Sequence, residues 1–334
     1  MEQTSNTQPR RISRGGKLSA HLSRNLFTYA SLAIFAVLCA VFAVLSGGVS
    51  LSTTNLRTLL NSGILVSIAA TSAVFVYSLG MLDISLGANV ALGTVTGAWV
   101  YSVTGQLPVA VLCILAVTTA VSLLSGAVIG FFGLPAFIIT LVMMNVLSSL
   151  NILLVSASSG GGNMIPVSSD LLRSLDTVPV KIACFAVVFL AAVFLFNFTR
   201  IGRQNKVIGA NPLNAAQSGI SARKNTVLSF IIMGMGLAVA SFLLLTRVRA
   251  GSASNGSSYG FVVMLALVLG GMPISGGSRS NIFSGVLGAF ILTELQIGLN
   301  AAGVDMASIQ IVRGAAFLVI LFALNFRTRS KYLI

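Results

Sequence analysis

Two carboxylates stand where their neighbours are almost wholly apolar, and they are the first candidates for chemistry. Asp83 lies in LGMLDISLG (79–87) and Glu294 in ILTELQIGLN (291–300). A carboxylate inside an apolar span costs about 3 kcal/mol on insertion scales, so each needs a polar partner, water or a proton. Asp83, with Gly80 before it and Ser85 and Gly87 after it, reads either as a helix N-cap or as part of a polar path. Glu294, near Gln296 and Asn300, reads either as the lining of a wet cavity or as hydrogen-bonded glue between helices. Ser85 and the amides Asn61, Asn89, Asn145 and Asn151 lie in the same apolar runs. Such groups suit an uncharged polyhydroxylated solute, which needs hydrogen bonds rather than ion pairs; amides also pack helices.

Other chemistries lack their residues. No GxxxxGK[ST] occurs, so ATP phosphates are not cradled here and any ATP is hydrolysed by another chain. His21 is the only histidine, HExxH and GxSxG are absent, and Cys39, Cys113 and Cys184 sit in apolar stretches without CxxC spacing. These features argue against a catalytic residue, a metal site, a bound cofactor or a disulfide framework, and leave the cysteines as packing residues.

The elements that must hold these polar groups are membrane helices. The 334 residues are 56% hydrophobic and 8% charged, with a mean hydropathy of +0.98, far from the quarter or so of charge that a soluble domain carries. Residues 84–169 contain no Asp, Glu, Lys or Arg, and the apolar runs are continuous, unlike the alternating segments of a β-barrel. The expectation is an all-α polytopic membrane protein of about ten spans. They lie near 26–46, 58–79, 86–103, 109–131, 135–155, 180–198, 226–246, 259–272, 282–300 and 309–326, the second, third and eighth broken at Gly80, Asp83, Gly87, Gly270, Gly271, Pro273, Gly276 and Gly277.

Charge orients the spans. With the N-terminus cytoplasmic, fourteen of the twenty cations fall inside: five in Arg10–Arg24, five in Arg200–Lys224, then Arg279, Arg327, Arg329 and Lys331. The reverse orientation leaves six, so both termini are expected in the cytoplasm. The cations gather at the ends and in one loop without interleaved aromatics, which explains the net charge of +14 by topology rather than by nucleic acid. The division is then a basic leader (1–25), read as preceding an uncleaved first span, a transmembrane body (26–326) and a cytoplasmic tail (327–334). Within the body, the longest outer loop is 156–179, a plain connector or a surface for an extracytoplasmic partner. Residues 79–87 and 269–277 (LGGMPISGG) agree at five of nine positions, an echo that arises by chance or by duplication.

The inner segment 199–225 is longer than an anchor requires. Its centre, ANPLNAAQSGIS, has the makings of a short helix, with Asn211 as N-cap, Pro212 at the first position, Leu213, Ala215, Ala216 and Gln217 in the body, and Gly219 as terminator. A capped helix in a cytoplasmic loop is something to grip.

In these residues the chain resembles the transmembrane subunits of bacterial ATP-binding-cassette importers for simple sugars, the ribose-type permeases. MLDISLGANVALGT (81–94) is similar to the family's Gly-Ile-Asp-Leu-Ser-Val-Gly stretch, with Leu82 and Leu86 in place of Gly and Val. LPAFIITLVMM (134–144) resembles its Pro-Pro-Phe-Ile-Ala-Thr-Leu-Gly stretch. TRIGRQNKVIGANPLNAAQSGIS (199–221) resembles its cytoplasmic loop, and YGFVVMLALVLGGMPISGG (259–277) its Gly-Tyr-Glu-Leu … Val-Leu-Gly-Gly-Thr-Ser-Leu-Gly-Gly block. Phe261 stands where Glu is common, Met272 and Pro273 replace Thr-Ser, and Gln204 and Asn205 replace an apolar or aromatic pair.

The resemblance implies a multi-pass permease of the bacterial inner membrane, paired with a second copy or a paralogue. An extracytoplasmic binding protein would feed it, and a separate ATPase subunit holding ATP and magnesium would drive it. Gly209, Asn211, Pro212, Ala215, Ala216, Ser218, Gly219 and Ile220 would then form the ATPase-coupling segment. Asn61, Asp83, Ser85, Asn89, Asn145 and Glu294 are the path candidates. The rival is an ion-coupled carrier that uses Asp83 or Glu294.

Overall fold

In a bilayer only a helix or a closed barrel satisfies its own backbone, and the continuous apolar runs take the first course. The computed structural model describes residues 14–256, 258–305, 307–315, 318 and 322, with side chains from residue 29 onward. Its helices are α1 (Arg14–Leu45), α2 (Thr53–Tyr77), α3 (Leu86–Thr104), α4 (Leu107–Phe132), α5 (Ala136–Ser158) and α6 (Asp170–Leu175). They continue with α7 (Val178–Phe198), α8 (Arg200–Ala210), α9 (Pro212–Gln217), α10 (Ala222–Val248), α11 (Tyr259–Leu269) and α12 (Ile282–Ala301). A short antiparallel pair joins β1 (Ile165–Pro166) to β2 (Ala250–Gly251).

Among the described residues α2, α4, α5, α7, α10 and α12 are long and apolar enough to cross a bilayer, and two shorter apolar helices are Tyr29–Leu45 and α11. The chain is an all-α polytopic membrane protein. The expected span at 309–326 and the basic leader and tail lie largely outside the described residues.

Polarity explains where the helices sit. α3, 19 residues long yet not among the helices apolar enough to cross a bilayer, is the central one: Leu86 to Val95 are all buried, enclosed by α4, α5, α10, α11 and β2. Small residues let α10 close on its neighbours, with Gly234 against Ser122 of α4 and Gly236 against Ser72 of α2.

The chain leaves the helix at 78–85 and 270–281, as expected at Gly80, Asp83, Gly270, Gly271, Pro273, Gly276 and Gly277, whereas Gly87 lies inside α3, which is unbroken; the two echoing segments meet. Gly277 N–H donates to the Ser78 carbonyl at 2.9 Å, and Gly80 packs on the Ser275 carbonyl.

The loop 156–179, expected on the outer side, is more than a connector. It holds β1 and α6, buries Leu172, and ties Ser169 to the Tyr101 hydroxyl at 2.7 Å.

Residues 249–258 depart most from expectation, which made them an outer loop between spans 226–246 and 259–272. Arg249 takes the left-handed region, φ 53°, and turns the chain back inward. Gly251 then lies against Val95 and Ala98, Gly256 against Gly87 and Val90, and Gly260 over Ile84. Between Gly251 and Gly256 the segment therefore descends along α3 by eight residues, about 12 Å at 1.5 Å per residue. Its lower end is at mid-bilayer, because Asn89, one turn into α3, donates to Thr118 O at 3.1 Å and Ser122 Oγ at 3.0 Å in the middle of the full-length span α4. α11 starts there and, at 11 residues, covers only half a bilayer.

Candidate functional site

The segment read as a loop carrying one short helix folds as two helices. α8 is amphipathic: Gly202, Asn205 and Ile208 are buried at spacings of three, while Arg203 and Val207 are exposed. Lys206 lies 4.6 Å over the Phe196 ring, and this half-burial lowers its ammonium below the ordinary lysine pKa. Asn205 clamps α8 to the bundle, its Nδ2 donating to Phe75 O of α2 at 3.1 Å and to Ser229 Oγ of α10 at 2.7 Å.

α9 has the expected caps. Asn211 Oδ1 accepts from Leu213 N at 3.0 Å and Asn214 N at 3.1 Å, Pro212 occupies the first turn, and Gly219 adopts φ 73°, the left-handed terminator that a side chain would strain. The eight residues proposed for coupling divide into two sets. Ala215 is fully buried, in a cluster with Leu79 and Ile208 against which Met81 and Ile220 pack. Gly209 also faces inward: a Cβ there would overlap the Ser78 carbonyl and stand 2.6 Å from Gly277 N. Asn211, Pro212, Ala216, Ser218 and Gly219 are exposed, together with Leu213 at 67%, an apolar side chain that the list of coupling residues omitted. The α8–α9 unit is thus seated on both segments, α9 through Ala215 against Leu79 and α8 through Gly209 against Ser78 and Gly277, and the other face of α9 is exposed.

The path candidates do not gather in one place. Asp83 is not the N-cap of α3, which is Ser85, but stands two residues before it in an Asx turn: its Oδ1 accepts from Ser85 N at 2.7 Å and Ser85 Oγ at 2.6 Å, and its carbonyl accepts from the Tyr77 hydroxyl at 3.2 Å. Asn89 binds α4, and Asn151 Nδ2 donates to Ala88 O at 3.0 Å. Asn145 is exposed and donates to Leu141 O of its own helix at 3.0 Å. Glu294 is buried on α12 near Cys39 of α1, and its carboxyl has no hydrogen-bond or ion-pair partner among the described residues.

Asn61 belongs to a polar knot at the opposite end from α9. Its Oδ1 accepts from Lys181 Nζ at 2.9 Å, while Lys181 pairs with Asp176 at 2.5 Å with only 3% of its side chain exposed. The sequence reading had placed these residues in separate spans and loops. Removing one partner of a buried pair leaves a charge stranded; with Asp176 at 32% exposure, Asp176→Ala is expected to destabilise by about 2 kcal/mol. An unchanged thermal midpoint of the purified protein would show that the pair contributes nothing.

Among the described residues no group of His, Cys, Asp and Glu could hold a metal ion. The geometry is that of a short capped helix, exposed on one face, with the non-helical stretches 78–85 and 270–281 behind it. A profile of the permease component of branched-chain amino acid transport systems matches residues 55–321. The chain is 28% identical to the probable ABC transporter permease protein YphD of Escherichia coli strain K12, over 92% of each chain. It is 27% identical to the ribose import permease protein RbsC of the same strain, over 86% of this chain and 91% of that one. Against the D-allose transport system permease protein AlsC the identity is 26%, over 81% and 83%. No solved structure matches. With most of its length covered by the profile, the chain belongs to the family of branched-chain amino acid transport system permease components.

Proposed function

We propose that this chain is the transmembrane permease subunit of an ATP-binding-cassette importer in a bacterial cytoplasmic membrane, forming the translocation path for a simple sugar or a sugar-like solute. The names of its relatives supply the substrate class. Two permease copies, or this chain and a paralogue, enclose the path, a binding protein delivers solute from outside, and a partner ATPase holds ATP and magnesium. Ten spans with both termini in the cytoplasm put α9 on the ATPase side.

The observation that carries this reading is the seating of α9. Its buried face rests on Leu79, next to Ser78 and Gly277, so a force applied through exposed Leu213 and Ala216 reaches the ends of α2 and the break before α12 directly. That is a two-state element which both the nucleotide and the solute can bias. The test is reconstitution: liposomes containing the chain, its ATPase and its binding protein should accumulate solute only with ATP, and accumulation without ATPase would end this reading.

Asp83 also separates importer from carrier. Its acceptor role toward Ser85 survives in an amide, so Asp83→Asn should leave ATP-driven uptake within about twofold, given that Asn and Asp side chains both form this turn. A carrier that moves protons through this carboxyl would be inactive.

A further inference from the structure

We infer that residues 252–256 and 258, on the non-helical descent beside α3, line a water-filled passage at mid-bilayer and offer it a hydrogen-bonding surface for an uncharged polyhydroxylated solute. This deepens the proposed function by naming the stretch of this chain that meets the cargo.

Irregular backbone at membrane depth is tolerated only inside protein or beside water. This segment has both sides. Its inner side is packed on α3 through Gly251 and Gly256 and knit by its own bonds, with Asn255 N donating to Ser252 O at 3.0 Å, Asn255 Nδ2 to Ala250 O at 2.7 Å, and the Ser252 and Ser254 hydroxyls 3.0 Å apart. Its other side is uncovered: Ser258 is exposed and Asn255 half-exposed. The Ser258 hydroxyl occupies the cap position of α11 yet makes no capping bond, and the Asn255 carboxamide oxygen accepts no hydrogen bond from any described residue.

Lipid cannot satisfy these groups, and an unpaired amide or hydroxyl in hydrocarbon costs about 4 kcal/mol or more. Water or a hydroxylated solute can. Phe261 is one turn further along α11 on the same face, at spacing i, i+3, and is 59% exposed. It sets an apolar ring beside the hydroxyl and carboxamide, as a surface that grips the C–H face of a sugar requires. Residues 250–258 carry no charged side chain, which fits a neutral cargo.

Thiol accessibility tests the inference without reference to transport. Asn255→Cys and Ser258→Cys, made in the full chain with its native cysteines and compared with the unaltered chain, should react with a charged, water-soluble methanethiosulfonate at least tenfold faster than Val187→Cys. Val187 is 69% exposed near the middle of α7, an apolar span, with hydrophobic neighbours on either side. Reaction no faster than at position 187, or reaction with a lipid-soluble maleimide alone, would overturn the passage.

A second variant guards against misfolding of the first. Ser258→Asp should reach the membrane at the normal level and elute as a single species if the side chain faces water, whereas a fall in membrane level comparable to that of Val187→Asp would sink the idea. For the cargo class, the probes are D-ribose, D-allose, D-xylose and D-galactose at millimolar concentration. At least one should slow modification at position 258 several-fold while glutamate does not; slowing by none, or equal slowing by glutamate, removes the solute assignment. These readouts require no ATPase, so a failed reconstitution with a labelled segment would count against the importer reading alone.

Discussion

Gly209→Val is expected to abolish uptake. At position 209 three backbones cross with no side chain between them, namely the end of α8, the Ser78 carbonyl after α2 and Gly277 before α12. A Cβ there would overlap a carbonyl oxygen, and backbone has no rotamer with which to move aside. Overpacking of this kind costs about 3 kcal/mol or more when the obstacle cannot relax. The α8–α9 unit should lift from its seat, and the chain should either lose its folded population or persist as a species that binds ATPase without transporting. Size-exclusion profile, thermal midpoint and uptake, read together, distinguish these. Gly209→Ala is the finer probe, because its single methyl meets the same carbonyl; wild-type stability and uptake in that variant would refute the crossing.

Ala215→Glu should be nearly as severe, and its comparison with Leu213→Glu gives it meaning. Ala215 is fully buried against Leu79 and Ile208, so a carboxylate there lacks both room and a partner. Burying an uncompensated charge costs several kcal/mol, enough to undock α9. Leu213, at 67% exposure, should accept Glu without loss of stability. Leu213→Glu is therefore expected to fold normally and to reduce ATPase co-purification and uptake by at least tenfold. Ala215→Glu should instead expose 210–220 to protease before any partner is added. Equal protease resistance in the two variants would show that α9 has no buried face.

Much of this organisation is written in residue types. Long apolar runs locate α2, α4, α5, α7, α10 and α12 within a few residues of expectation, because composition alone decides whether a segment can face lipid. The caps of α9 were legible for a local reason: Asn, Pro and Gly at fixed offsets act on the backbone of their own turn. α8 was missed although Ile201, Asn205 and Ile208 recur at helical spacing, since Arg200, Arg203 and Lys206 on the other face had already been explained by topology. The path candidates show the opposite limit. An Asn in an apolar run announces that it needs a partner without saying which, and Asn61 finds Lys181 while Asn89 finds Ser122. The descent at 249–258 was illegible because Ser, Asn and Gly are turn formers at the surface and at mid-bilayer alike.

The enclosure of α3 reaches back to how the protein is made. Its stretch from Leu86 to Val95 is wholly covered by other helices, and it carries Asn89, Thr94 and several glycines where its neighbours carry leucine. Left alone among acyl chains it would have little reason to stay, so the ribosome delivers a segment whose lodging depends on helices not yet synthesised. α4 and α5 follow at once, whereas α10 emerges only after the whole α9 handle has been released. Biogenesis must therefore keep α3 sheltered at the insertion site until α10 arrives, and truncation before Ala222 should leave a chain that the quality-control proteases of the membrane recognise.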